Sequence, residues 1–283
     1  CPLQCSPNGN SITNIATCDP SSGIGSAVEG SAHPQGRRKD VARMLALIEV
    51  AKVITTSFLL ILALDTLLRY CAPGFGAAST RYNLLHALLN TFVVVRIAPD
   101  VYFVLTNPLE AMSAPYSDVP LATTISLHLF HCVSQYKTLT PVDWAHHLVS
   151  NMLVSFLCFP FDYGPLMQWG LFFICGFPGG VDYYLLTLVK LGSIHAATEK
   201  RVNRVLNTWI RAPGIVCWMP FMLACRAAGK SKVPDWVLAL QCILNFVNAM
   251  YFQDRVVANS AVVDWCTENA VDKRLAEAGA GAA

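Results

Sequence analysis

The sequence predicts an all-α, polytopic membrane protein of about seven transmembrane helices around a partly polar interior. The chain of 283 residues is 54% hydrophobic and only 13% charged, whereas soluble domains carry about 25% charged residues. The shortfall in charge extends over most of the length, which favours many membrane crossings over a single anchor. The formal net charge is +2, and Arg37-Arg38-Lys39 is a short basic run. We therefore expect no nucleic-acid partner.

Three regions differ in composition. Residues 1–36 form a polar, Cys-containing N-terminal extension that is rich in the loop-forming residues Ser, Asn, Pro and Gly. Residues 37–258 carry the apolar segments and are predicted to be the multi-pass transmembrane domain. Residues 259–283 form a polar C-terminal tail.

The cysteines of the N-terminal extension leave two alternatives open. Cys1, Cys5 and Cys18 are spaced so that a disulfide in an oxidising lumen, or free thiols, would suit them. A zinc site would need His33 as a fourth ligand. The spacing favours the disulfide or thiol alternative, and we predict no metal.

Seven apolar segments approach the roughly 20 residues that a membrane helix needs. They lie at about residues 42–70, 82–105, 119–136, 142–159, 165–191, 205–228 and 234–257. Loop residues such as Ala72-Pro73-Gly74 and Asp162-Tyr163-Gly164-Pro165 separate them. The fifth segment is interrupted at residues 176–180 and the sixth at Ala212-Pro213-Gly214. We interpret both interruptions as packing kinks in preference to ligand sites.

The charge distribution indicates an orientation. An odd number of crossings places the two ends of the chain on opposite sides of the membrane. Lys and Arg are in excess on the C-terminal side, which favours a cytosol-like or stroma-like compartment there and a lumen around the N-terminal extension. The expected location is an organelle membrane or endomembrane.

Ionisable residues within the apolar segments predict where the polar interior lies. They are His86, His128, His131, His146, His147, Asp182 and Arg211. Charges that face lipid are costly, so we expect these side chains to line a cavity between helices. Taken singly, each would also serve as an interhelical hydrogen bond or ion pair that fixes packing. His146 and His147 are adjacent and diverge by about 100° on a regular helix, so at most one of them would face a ligand.

Three stretches of the chain resemble the TLC-domain family of multi-pass membrane proteins. They are Arg81-Tyr82-Asn83-Leu84-Leu85-His86-Ala87, Asp143-Trp144-Ala145-His146-His147-Leu148-Val149-Ser150 and Asn203-Arg204-Val205-Leu206-Asn207-Thr208-Trp209-Ile210-Arg211. The resemblance covers roughly residues 40–258. It implies a helical membrane domain that acts on or holds lipid, as ceramide synthases and the non-synthase members of the family do.

The chain also departs from that family in two places. The helix before the double histidine usually carries an Asp, but the matching region reads Leu129-Phe130-His131-Cys132. The His-Asp-x-x-Asp cluster that follows the double histidine of ceramide synthases is absent from the sequence. Acyl transfer would use His146 or His147 with an orienting acid. We therefore expect a non-synthase.

These patterns lead to three hypotheses. The first is a TLC-like membrane protein that binds or organises lipid, with membrane lipids as its partners and no cofactor. The second is a structural accessory subunit of a larger organellar membrane complex, which would dock other subunits through residues 1–36 and the C-terminal tail. The third is a lipid acyltransferase that depends on His146 or His147.

Overall fold

The structure is a computed structural model that describes residues 34–156 and 158–280. Cys1, Cys5, Cys18 and His33 lie outside the described residues, so the disulfide and zinc alternatives stay predictions. The chain divides into two compact units, Cys1–Ala42 and Arg43–Ala283. Every side-chain contact given below lies within the second unit.

All the regular elements of the described residues are helices. In chain order they are α1 (Pro34–Cys71), α2 (Ala78–Thr106), α3 (Val119–Ser134), α4 (residues 141–156), α5 (Leu166–Lys190), α6 (Ala196–Ala227) and α7 (Asp235–Ala280). A single 3-10 turn, Pro108–Glu110, follows α2. The polar residues from 259 onward continue α7 as far as Ala280.

The described residues fit an integral multi-pass membrane protein, which agrees with the predicted class. Five helices, α1, α2, α5, α6 and α7, are long and apolar enough to cross a membrane. The predicted count of about seven is not confirmed. Helix α3 has only 16 residues, or about 24 Å at 1.5 Å per residue, which is shorter than a bilayer core of about 30 Å. Helix α4 covers a similar length.

The helices form a bundle with two ends, and contacts between helices define each end. At one end, Arg81 at the start of α2 forms an ion pair of 2.8 Å with Asp65 near the end of α1. At the other end, the Cys225 thiol near the end of α6 lies 3.1 Å from the carbonyl oxygen of Pro108, just after α2. We call the first the cavity end and the second the core end.

The core end contains the main apolar core. Its largest fully buried side chains include Trp218 and Met222 of α6 and Tyr163 before α5. The indole N–H of Trp169 donates to the carbonyl oxygen of Gly214 at 2.9 Å. A Cβ at Gly214 would overlap a neighbouring aromatic ring. Close contact between α5 and α6 therefore requires glycine at this position, as small residues allow at other helix interfaces in membranes.

The two predicted interruptions are widened turns within continuous helices. The fifth helix contains a π-helical segment, Phe172–Gly176, which ends two residues before Pro178. The sixth contains the π-helical segment Asn207–Arg211, which ends two residues before Pro213. Proline has no N–H and its ring collides with the carbonyl four residues earlier. The wider turn accommodates that ring without ending the helix.

Candidate functional site

Three π-helical segments meet at one cavity near the cavity end. Helix α4 contains the third such segment, His146–Leu153. Each segment contributes to the lining, with His146 from α4, Cys175 from α5, and Asn207 and Arg211 from α6. The cavity has a volume of about 240 Å³, room for about eight water molecules at 30 Å³ each. Widened turns of this kind occur frequently at functional sites because they reposition side chains within a helix.

The structure brings most of the sequence-predicted site residues together. His86, His128, His146, Asp182 and Arg211 all line the cavity. They come from five different helices, α2 to α6. Their common position is a property of the bundle and not of any single segment.

The other two predicted residues, His131 and His147, lie beside the cavity and complete a group of imidazoles. The ring centroid of His147 is 4.6 Å from that of His131, 5.5 Å from that of His128 and 5.4 Å from that of His146. His86 lies 5.9 Å from His131 and 6.2 Å from His128. We call these five residues the histidine cluster. In the described part of the chain, no group of three or more His, Cys, Asp or Glu residues has a metal-binding arrangement.

Backbone carbonyls orient two rings of the histidine cluster. Nδ1 of His86 lies 3.0 Å from the carbonyl oxygen of Tyr82, and Nδ1 of His128 lies 2.8 Å from that of Thr124. Since a carbonyl oxygen only accepts, Nδ1–H is the donor in both pairs, and Nε2 of each neutral ring is left as an acceptor. The histidine cluster therefore presents hydrogen-bonding groups at fixed positions beside the cavity.

The two adjacent histidines of α4 face different surroundings. His146 lines the cavity and packs against Phe252 of α7, with 4.8 Å between the ring centroids. His147 is only 4% exposed and packs against His128 and His131 of α3. The two rings lie 5.4 Å apart, and of the two only His146 lines the cavity.

A polar ladder on α6 extends from the cavity end into the bundle. Glu199, Asn203, Asn207 and Arg211 follow one another at intervals of four residues. The amide of Asn203 donates to Glu199 at 3.4 Å, the amide of Asn207 donates to the side chain of Asn203, and Arg211 donates to Asn207 at 3.5 Å. We call these four residues the α6 ladder.

Sequence analysis did not identify the α6 ladder. The sequence indicated Arg211 as a cavity-lining residue and included Asn203 and Asn207 only in a family-like stretch. The signal was present as i, i+4 spacing, which places all four side chains on one face of a helix. The last three members line the cavity beside Asp182.

The charged groups of the site fall into an acidic and a basic part. Glu199 is almost fully buried and forms an ion pair of 2.9 Å with Lys200. The Asp182 carboxyl faces Glu199 from α5. Twelve residues separate Glu199 from Arg211 along α6, or roughly 18 Å of helix. The basic end of the α6 ladder is therefore deeper in the bundle than its acidic end.

Asp143 opens the family-like stretch of the double histidine and lies near the histidine cluster. It begins α4 with Thr140 in a capping box, in which Oδ2 of Asp143 accepts hydrogen bonds from the N–H of Thr140 at 2.9 Å and its hydroxyl at 2.7 Å. Burial alone would raise the pKa of Asp143, but these hydrogen bonds and the nearby His147 and His131 outweigh it and hold the pKa below its ordinary value. The spacing Asp143 to His147 is one helical turn.

Two further openings adjoin the cavity. An apolar groove of about 430 Å³ runs between α4 and α7, lined by Val142, Ala145, Val149, Leu244, Val247 and Tyr251 among others. A polar mouth of about 240 Å³ has Asp143, Arg255 and Asn259 in its lining. The cavity, the groove and the mouth all share His146 and Phe252.

Phe252 occupies the junction of these three spaces. Its ring packs against His146 on one helix, and the Arg211 guanidinium lies 5.4 Å from its centroid. That distance is within the range of a cation–π interaction. The two rings of His146 and Phe252 therefore stand between the polar cavity and the apolar groove.

Comparisons of the chain with known protein families, with characterised proteins and with solved structures found no match. The geometry and chemistry of the site are therefore the basis for inferring function.

Proposed function

We propose that this chain is a TLC-like integral membrane protein that binds a lipid molecule, with the acyl chain in the groove and the polar end in the cavity. The single observation that carries the proposal is the meeting of an apolar groove and a polar cavity at His146 and Phe252. A ligand that filled both spaces would need one apolar part and one polar part. Lipids have that form and are the most abundant amphiphiles around a membrane helix.

The groove has the surface that an acyl chain requires. Its exposed area is almost entirely apolar, and its residues Val149 and Val247 are about half exposed. Burial of each CH₂ group contributes about 0.8 kcal/mol when the group comes from water. An acyl chain that moves from the bilayer into the groove gains less free energy, because it was already in an apolar environment. The groove therefore contributes shape complementarity, and the polar cavity determines which lipid binds.

The cavity has the groups that a polar headgroup requires. It is lined by imidazoles, carboxamides and a guanidinium. Among the described residues, the Oδ1 atom of Asp182, which lines the cavity, is buried without a hydrogen-bond partner. Buried polar atoms are costly unless they bind something, which supports a polar ligand in this space.

The position of Asp143 favours lipid binding over acyl transfer as the function of the site. An acyltransferase histidine needs a carboxylate that orients the ring and stabilises its charge. The Oδ2 atom of Asp143 is already engaged by two hydrogen bonds from Thr140 at the helix start. Asp143 therefore serves primarily as a helix cap.

The groove can be blocked to test the proposal. Val247→Trp would place an indole in the groove and is expected to reduce photo-crosslinking by a diazirine-labelled fatty acid in nanodiscs about tenfold, because the chain loses its binding surface. Ile243→Trp is the matched control. Ile243 lies one turn earlier on α7, is 61% exposed against 58% for Val247, and is outside the groove lining.

Equal crosslinking by the two tryptophan variants and the parent chain would rule out the groove as the binding surface. Mass spectrometry of the crosslinked peptides adds a second criterion. The label should be found on the segments around Val149 and Val247, and labelling spread evenly over all lipid-facing helices would show that no specific site exists.

A further inference from the structure

We infer that the lipid bound by this chain has an acidic headgroup, a carboxylate or a phosphate, which pairs with Arg211. This inference rests on the proposed function, since it names the ligand class of the same site. The observations behind it are the surroundings of the Arg211 side chain.

The Arg211 guanidinium is held in place by neutral groups. Its Nε donates to the carbonyl oxygen of Ile174 at 3.0 Å, and one terminal nitrogen donates weakly to Asn207 at 3.5 Å. The ring of Phe252 lies beside it. These contacts fix the orientation of the group, and the hydrogen bonds employ the Nε–H and one of its two terminal nitrogens.

No ion pair among the described residues satisfies the charge of Arg211. Glu199 pairs with Lys200. Asp182 lines the same cavity and its charge acts on Arg211, but among the described residues it faces Glu199 and forms no ion pair with Arg211. The seven ion pairs within 4.0 Å do not include Arg211. A guanidinium inside a membrane protein is costly without a counter-charge, so this position favours an anion.

The geometry points to an anion that arrives on an acyl chain. Arg211 lines the cavity, and among the described residues His146 and Phe252 line both the cavity and the groove. A carboxylate or phosphate matches the planar donor set of a guanidinium, which can bind two of its oxygens at once. Glu199, the acidic end of the α6 ladder, lies roughly 18 Å from Arg211 along the helix and does not line the cavity.

Equilibrium binding to the purified full chain in nanodiscs tests the inference. We expect hexadecanoic acid and hexadecyl phosphate to bind at least about tenfold more tightly than hexadecanol, because only the acids form charge-assisted hydrogen bonds. Arg211→Gln should remove this preference, so that the two acids and hexadecanol bind with similar affinity. Arg211→Lys, which keeps the charge but not the bidentate geometry, should retain part of it.

Arg204→Gln is the matched control. Arg204 is on the same helix and pairs with Asp264 at 3.5 Å on the outside of the site, so its loss should leave the acid preference intact. Acetate and inorganic phosphate distinguish a free anion from a headgroup. If either one displaced hexadecanoic acid at equal concentration, the site would be one for free anions and the inference would be overturned.

The other outcomes separate the inference from the proposed function. Equal binding of hexadecanol and hexadecanoic acid by the parent chain, or an unchanged acid preference in Arg211→Gln, would overturn the acidic headgroup and leave lipid binding standing. If none of the three lipids bound, the proposed function would fail and the inference with it.

Discussion

The two ends of the bundle use the same helices for opposite purposes. Toward the core end, α5 and α6 pack through Trp169, Trp218 and a glycine that permits direct contact. Toward the cavity end, the same two helices widen into π turns and present Cys175 and Arg211 to a cavity. Close packing at one end holds the helices in position, so the other end can keep a polar space open without collapse.

The comparison predicts that stability depends mainly on the core end. Trp218 is 1% exposed, and Trp218→Ala should lower the free energy of unfolding by about 3–5 kcal/mol, since a large cavity would remain. The matched control is Trp209→Ala on the same helix, because Trp209 is 75% exposed. It should change stability by less than about 0.5 kcal/mol. Denaturant titration in detergent, followed by circular dichroism, measures both.

Similar losses of unfolding free energy in the two tryptophan variants would contradict the view that stability depends mainly on the core end. They would show that the lipid-facing surface contributes as much to stability as the apolar core does.

The comparison also predicts a small stability effect at the cavity end. Asn207 donates to the Asn203 carbonyl at 3.0 Å and accepts from Arg211. Asn207→Ala should cost about 0.5–1.5 kcal/mol, the net contribution of a typical hydrogen bond, because the hydrogen bonds of Asn207 stay within α6. It should nevertheless weaken lipid binding, because Arg211 loses a group that orients it. Asn269→Ala is the control, since Asn269 makes an exposed hydrogen bond far along α7.

If Asn207→Ala lowered the free energy of unfolding as much as Trp218→Ala, the difference in stability between the two ends would be contradicted. The α6 ladder would then be a structural element of the bundle, and its polar residues would need no ligand to explain them.

The sequence predicted the positions of the helices better than it predicted which helices cross the membrane, how two of them are bent, or where the candidate site lies. Apolar periodicity and loop residues located every helix because membrane burial requires long apolar runs. The predicted crossing by α3 is not confirmed, because this apolar helix has only 16 residues and ends at Ser134. The π turns were interpreted as breaks or kinks, because proline signals a disturbed helix without showing how the chain accommodates it.

The site itself was only partly accessible from sequence. Ionisable residues in apolar segments identified His86, His146 and Arg211, because charge inside a membrane is conspicuous. Phe252 was missed, since one more aromatic residue in an apolar helix carries no local signal. Its role depends on the packing of α7 against α4, which only the folded bundle provides.

The central claim is that one lipid molecule spans the groove and the cavity. The most direct measurement is a density map of the purified chain in nanodiscs containing a fatty acid with bromine near its methyl end. The account predicts bromine density in the groove beside Val247 and carboxylate density within hydrogen-bonding distance of Arg211, joined past His146 and Phe252. A bromine signal spread around the bundle, with density for a chain absent from the groove, would contradict it.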